Sequence, residues 1–427
     1  MIEIVRASHV SPESLRTRQQ ALSETADRAA REIIERVNAE GDRAVLELTE
    51  RFDGAKLSTL AVTEAEFLEA EEKTDPALKE LLARAAENIR AFHTHQARTG
   101  FMVSDRPGAV LGQIIRPLER VGLYVPGGTA SYPSSVLMNA IPPEIAGVRE
   151  RVIVTPPGRN GKIAPAILTA ARIAGVGRVF KCGGAQAVAA LAYGTESIPK
   201  VDKIVGPGNA YVAAAKRRVY GLVDIDMIAG PSEVLVIADD PRDARAIACD
   251  MLAQAEHDPL AAAILLTPSE KLALLVQSLL EEEIAWMPRA EIARKSIDMN
   301  GRIVLVNDLS EAMTLSNVIA PEHLELCVDE PFSLLGAVRN AGSVFLGRNA
   351  PEALGDYWAG PNHTLPTGGA ARFSSPLSVD DFLKKTQYIS YDRAALRDAK
   401  DSIVRLAEAE GLYAHARSVE VRFEEEA

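Results

Sequence analysis

Gln254 and His257 stand three residues apart in the stretch Ala248–Asp258, ACDMLAQAEHD. A helix that begins near Asp243 and stops before Pro259 puts Ala244, Ile247, Ala248, Met251, Leu252 and Ala255 on one apolar face. Gln254 and His257 then lie one turn apart on a different stripe, where an amide oxygen and an imidazole nitrogen both reach a single metal ion. The plainer alternative is an amphipathic helix that ends in a histidine, a residue favoured near helix C-termini. Adjacent Glu322 and His323, in APEHLEL, offer two bases of different strength. Asp356 lies in a loop rich in glycine, proline and aromatics, LGDYWAGPNH, and is a candidate metal carboxylate; His363 closes the same stretch. His415 ends EGLYAH near the C-terminus. For each of these taken singly, a hydrogen-bonded structural role is the competing reading. His93 and His95, two apart on a helix, point to different sides and are expected on the surface. Cys249 and Cys327 lack an adjacent charge partner that would activate a thiol, so buried structural cysteines are expected there.

The elements that must position these residues alternate. Residues 11 to about 99 read as helices, with helical periodicity over Ala26–Val37 and Ala77–Ala97. The stretch from Ala109 to Val125 is strand-like and runs into Pro126-Gly127-Gly128. Uniformly apolar strands are then expected at Arg151–Thr155, Arg178–Lys181 and Lys203–Val205, separated by alanine-rich helices. A second such run has strands at Val234–Ala238, Ala262–Thr267, Ile303–Asn307, Glu325–Val328 and Ser343–Leu346. From Val379 the chain reads as charged and mostly helical, down to an acidic tail. The fold class is therefore α/β, with two tandem Rossmann-like parallel-sheet units and helical N-terminal and C-terminal extensions.

Three glycine-rich turns follow strands in the first run: VPGG, CGGAQA and VGPGNAY. Glycine lets a phosphate approach the backbone, and a helix N-terminus favours an anion. Ordinary βα turn chemistry is the alternative for each alone; three in one unit point to a nucleotide. GRNGK at 158–162 is too short for a P-loop and has no hydroxyl residue after its lysine.

With 427 residues, 47% of them hydrophobic, the chain can build a large core and two to four domains. A net charge of −12 argues against nucleic acid and against an anionic membrane surface. Three scattered cysteines form no metal or disulfide framework and suit a reducing cytosol. Neither a signal peptide nor a membrane span is expected.

Taken together, GLYVPGG, KCGGAQAVAALAYGT, DKIVGPGN, DMIAGPSEVLVIAD, MLAQAEHD, APEHLEL, LGDYWAGPNHTLPT and EGLYAH resemble the histidinol dehydrogenase family over about Asp27 to Val421. The resemblance implies a zinc ion, one per subunit, held by Gln254, His257, Asp356 and His415, the last donated by the partner subunit of a cytoplasmic homodimer with shared active sites. It implies that Tyr124, Gln186 and Asn209 contact NAD. Ser232, Gln254, His257, His323, Asp356, His363, Glu410 and His415 would bind substrate, and Glu322 and His323 would be catalytic. The implied reaction takes L-histidinol through L-histidinal to L-histidine with two NAD; related enzymes of the same superfamily oxidise other small primary alcohols, such as sulfonated propanediols. The domains would be an N-terminal segment 1–22 packing with the C-terminal region, a first α/β domain of 23–123 with 233–376 carrying most of the zinc and catalytic residues, an NAD-binding α/β domain of 124–232, and a helical C-terminal region 377–427 reaching the partner.

Overall fold

The chain begins with strand β1 (Glu3–Arg6) and then forms the helices Glu24–Glu40, Asp42–Asp53, Glu64–Lys73 and Pro76–Thr94. Their boundaries are written locally. Thr63 and Glu66 make a reciprocal capping box at the start of the third, Asp75 and Pro76 start the fourth, and Gly54, at φ 69°, ends the second in a left-handed cap. This computed structural model describes residues 1–15, 24–127 and 131–426; Gly128 of the first glycine-rich turn and the last residue of the acidic tail lie outside the described residues.

Next come β2 (Phe101–Val103) and β3 (Ala109–Pro117), then β4 (Arg120–Tyr124), β5 (Glu150–Thr155), β6 (Arg178–Lys181), β7 (Lys203–Val205) and β8 (Asp224–Ile225). The second run supplies β9 (Glu233–Ala238), β10 (Ala262–Thr267), β11 (Arg302–Leu305), β12 (His323–Cys327) and β13 (Ser343–Leu346), and β14 (Leu383–Tyr391) follows. Among the described residues these strands form a five-stranded parallel sheet, β6-β5-β4-β7-β8, a six-stranded parallel sheet, β1-β11-β10-β9-β12-β13, and a three-stranded antiparallel sheet, β14-β3-β2. The two tandem α/β units expected from the sequence are thus present. They share one strand order, the six-stranded sheet carrying β1 as an extra edge strand, and each reverses direction next to its first strand: between β4 and β7, and between β9 and β12.

Every residue of β9, β10 and β12 is buried, because helices cover both faces. Alternate residues of β9 feed two cores: Val234, Val236 and Ala238 pack on one side of the sheet, Leu235 and Ile237 on the other. At the carboxyl ends of this sheet, Arg348, just after β13, reaches across the crevice between β9 and β12. Its guanidinium pairs with Asp243 at 2.8 Å and Asp329 at 3.1 Å, with Asp240 and Asp239 at 3.7 and 3.8 Å.

Several sequence expectations change. The segment after Val379 is mostly helical, as expected, with the helices Arg393–Ala409 and Tyr413–Glu420, but it also contains a strand the sequence did not show: β14 pairs with β3 over nine residues. Its sequence, LKKTQYISY, is largely exposed and so shows no buried face to read. Residues 24–94 pack on the five-stranded sheet's helices, since Ala30, Ile34 and Val37 share a core with Val188, Leu191 and Ile204, and they also touch 233–376, where Asn88 Nδ2 donates to the Trp358 carbonyl at 2.8 Å. β1 pairs in parallel with β11, Glu3 opposite Arg302, as an edge strand of the six-stranded sheet, and residues 16–22 of the expected N-terminal segment lie outside the described residues. His93 is buried, not on the surface, and its Nδ1 pairs with Gln96 Oε1 at 2.8 Å.

The described chain divides into two compact units: Met1–Gln96 with Leu118–Phe382, and Ala97–Pro117 with Leu383–Ala427. The first holds both parallel sheets. The second holds the antiparallel sheet and the helices Arg393–Ala409 and Tyr413–Glu420.

Candidate active site

His323 is the first residue of β12, and Glu322 immediately precedes it. Both are gripped by the main chain of Glu233, the first residue of the neighbouring β9. The Glu233 N–H donates to Glu322 Oε2 at 2.8 Å, and His323 Nδ1 lies 3.0 Å from the Glu233 carbonyl oxygen. A carbonyl can only accept, so Nδ1 carries the proton and Nε2 keeps its lone pair. Burial pushes the His323 imidazolium down to about 4, overriding the opposite pull of Asp356, so the ring is neutral near pH 7. Burial also pushes the Glu322 carboxyl well above its ordinary range, reinforced by the charges of Glu233 and Asp356 against the Glu233 N–H. The pair is a neutral imidazole with a free nitrogen beside a carboxyl whose proton affinity burial raises, a combination suited to proton transfer.

Around this pair the structure gathers most of the other candidates. Gln254 is buried in the last turn of the helix Ala244–Ala255, and His257 follows just beyond it. His257 Nδ1 donates to the Ala253 carbonyl at 2.9 Å, which leaves Nε2 facing outward from the turn. In the amide orientation that satisfies both ends, the Gln254 nitrogen donates to Glu352 Oε2 at 2.7 Å and its oxygen takes the opposite end, which accepts. Asp356 sits in the helix Glu352–Tyr357. The His363 ring donates from Nδ1 to the Asp356 carbonyl at 3.1 Å and accepts at Nε2 from the Ser135 hydroxyl at 3.2 Å. The Asp356 carboxylate acts electrostatically on Glu322, His323, Glu352 and His363, and His257 acts on His323 and His363. Ser232 is half-buried at the head of β9. Glu410 and His415 belong to the second unit and are exposed there. Among the described residues, no three His, Cys, Asp or Glu side chains form a metal cage; Gln254, His257 and Asp356 offer an amide, an imidazole and a carboxylate.

The loop that carries His363 also ties this centre to the five-stranded sheet. Asn362 Nδ2 donates to the Met138 carbonyl at 2.7 Å, and the Thr364 hydroxyl reaches Asn139 Oδ1 at 3.2 Å. At the carboxyl ends of β4, β5 and β6 opens a cavity of about 1360 Å³, lined by Asp53, Tyr124, Gly127, Gly184, Gln186 and Asn209 among others. The Tyr124 hydroxyl accepts from the Gly184 N–H at 3.0 Å, and burial pushes its phenol up to about 12. Among the described residues, Gln186 Oε1 is buried without a hydrogen-bond partner, as is Asp53 Oδ2. Asn209 spends its side-chain oxygen on capping the helix Ala210–Val219, accepting from the Tyr211 and Val212 N–H groups at 3.1 and 3.2 Å. Gly206, at φ 114°, passes so close to Tyr124 that any Cβ would collide with the Tyr124 carbonyl oxygen. Beneath this turn, Lys216 Nζ pairs with the buried Asp226 and donates to the Gly206 carbonyl at 3.0 Å.

A family model described as histidinol dehydrogenase matches residues 16–423. The histidinol dehydrogenase of Bacillus anthracis is 55% identical over 412 residues, 96% of each chain, and that of Syntrophotalea carbinolica is 56% identical over 396 residues, 92% of each. The crystal structure of histidinol dehydrogenase from Elizabethkingia anophelis superposes with a TM-score of 0.94 at 36% identity, covering 99% of this chain and 98% of that one. The chain belongs to the histidinol dehydrogenase family. It is accordingly an oxidoreductase, and the resemblance carried by the motifs extends to the whole fold.

Within this family member, the sequence reading missed Glu233, Glu352 and Ser135. Glu233 heads the apolar strand EVLVIA, and a carboxylate there is the one polar residue in a fully buried run. That incongruity was the available signal. Glu352 gave none, because PEALGD reads as an ordinary helix start. Of the two cysteines expected to be buried, Cys327 is, and burial pushes its thiol up to about 12, whereas Cys249 is exposed; desolvation still raises the Cys249 thiol, and Cys182 is fully buried with its pKa pushed up, so none of the three is an activated thiolate.

Proposed function

We propose that the chain oxidises L-histidinol to L-histidine through bound L-histidinal, reducing two NAD, as the last step of histidine biosynthesis. The observation that carries this reading is the Glu233 main-chain clamp on Glu322 and His323, set beside Gln254, His257 and Asp356. The donors fit zinc: amide oxygen, imidazole nitrogen and carboxylate are all zinc ligands, and the second nitrogen of His257 is already engaged by a carbonyl, as a ligating imidazole requires. Gln254, His257 and Asp356 would hold the ion, with His415 of the partner subunit completing the set in a cytoplasmic homodimer. Zinc bound there would supply a Lewis acid for orienting the substrate. NAD would lie in the cavity beside Tyr124, Gln186 and Asn209 and supply the hydride acceptor for both oxidations.

His323 Nε2, the free nitrogen, takes the hydroxyl proton of the alcohol in the first oxidation. An aldehyde has no such proton, so it first adds water, and Glu322 removes a proton from that water. His323 then serves again as base for the hydrate. Ser232, His363 and Glu410 would orient the substrate.

The deciding experiment counts NADH formed per L-histidinol before and after zinc removal. About two per substrate, lost on chelation and restored by zinc, is expected. A single NADH, or turnover untouched by chelation, overturns the proposal.

A further inference from the structure

A line of buried carboxyl groups runs behind the proposed ligand set. Asp250 and Gln254 lie one turn apart on the helix Ala244–Ala255. The Asp250 carboxyl is hydrogen-bonded to that of Glu325 in β12, and Glu325 Oε1 accepts from the Glu352 N–H at 2.7 Å. Glu352, 2% exposed, takes the amide nitrogen of Gln254, itself 1% exposed, on its own carboxylate. Asp356 is one turn further along Glu352's helix. Glu352 is thus braced between two of the proposed ligands and touches the first directly.

We infer that Glu352 is a positioning residue: by occupying the donor end of the Gln254 amide, it turns the carbonyl oxygen toward the metal and is the reason that an amide stands at 254. This rests on the zinc reading above. Zinc chemistry alone favours a carboxylate over a neutral amide oxygen. A carboxylate at 254 would, however, present only acceptors and a like charge to Glu352, where both side chains are buried. The amide is the side chain of that length with a donor for Glu352 and an acceptor for a cation.

The geometry makes the two residues exchangeable as a pair. Gln254→Glu alone sets two carboxylates face to face; Gln254→Glu with Glu352→Gln restores one donor and one acceptor, with the direction reversed. Zinc affinity by chelator competition, and the visible spectrum of the cobalt-loaded full chain, read this without turnover. Gln254→Glu is expected to weaken zinc binding about 10-fold or more, the scale of lost outer-shell support. The double variant should recover that loss and its cobalt spectrum should return toward the parent's. Glu352→Gln, which still accepts from Gln254, should keep near-parent affinity, whereas Glu352→Ala should not. Should Glu352→Ala fail to fold, the near-isosteric Gln254→Glu and double variants still decide. Gln254→Glu binding zinc as tightly as the parent, or the double variant binding no tighter than Gln254→Glu, overturns the inference and leaves the proposed function standing. A parent chain that takes up neither zinc nor cobalt overturns both.

Discussion

His323 Nδ1 donates to the carbonyl oxygen of Glu233 at 3.0 Å, and this one bond decides which face of the imidazole is a base. His323→Asn keeps a donor near that carbonyl but has no nitrogen lone pair to offer on the far side. It should fold like the parent and lose about 10²–10⁴ in kcat for alcohol oxidation, checked by steady-state kinetics with L-histidinol alongside a thermal melt. A loss of less than tenfold would remove His323 from the proton path.

Glu322→Gln retains an acceptor for the Glu233 N–H and removes the base. The oxidation of added L-histidinal should fall by about 10²–10⁴ while single-turnover oxidation of L-histidinol falls far less. Equal losses at the two steps would contradict the division of labour between Glu322 and His323.

Burial raises the Asp53 carboxyl to about 6, from an ordinary 3.8. The folded chain therefore binds that proton more tightly than the unfolded one, and the associated stability is full below 3.8 and lost as pH rises through 6. Asp53→Asn should raise the Tm of the ligand-free protein at pH 8 and leave it unchanged at pH 4. A gain of equal size at both pH values would show that charge is not the cause.

Lys216→Met strands the Asp226 carboxylate in the interior beneath the Gly206 turn. Breaking one side of such a pair costs about 3–5 kcal/mol, measurable as a fall in the urea midpoint. Because Gly206 lines up against Tyr124, the same change should weaken NAD binding.

If His415 serves the neighbouring subunit, each site draws on two chains. Mixing His415→Ala with Glu322→Gln subunits then rebuilds one intact site in every mixed dimer, about a quarter of the parent's sites after random exchange. Activity that stays at the level of the separate variants would place His415 in its own chain's site.

The parallel sheets were legible because their central strands are buried on both faces and so are uninterrupted apolar runs; Ala262–Thr267 and Lys203–Val205 have the bounds the pattern suggests. β14 was not, since both its faces are mostly wet and its lysines read as solvated helix. The candidate site was legible where side chains carry unusual chemistry, as at His257 and His323. It was illegible where support comes from a main-chain group, as at Glu233, or from a buried acid whose partner is remote in sequence, as at Glu352. Asn209 was readable as a polar residue in a glycine-rich turn, but its oxygen is committed to the helix behind it.

Arg348 has a consequence for the order of events. Two parallel sheets of like strand order offer two crevices where a dinucleotide could settle, and this guanidinium, tethered to Asp243 and Asp329, seals one of them from within. On the proposed reaction the hydride carriers must then queue for the remaining berth. The first leaves before the second arrives, and the half-oxidised molecule waits through the changeover, anchored from the opposite side by the amino-end residues of the sealed sheet.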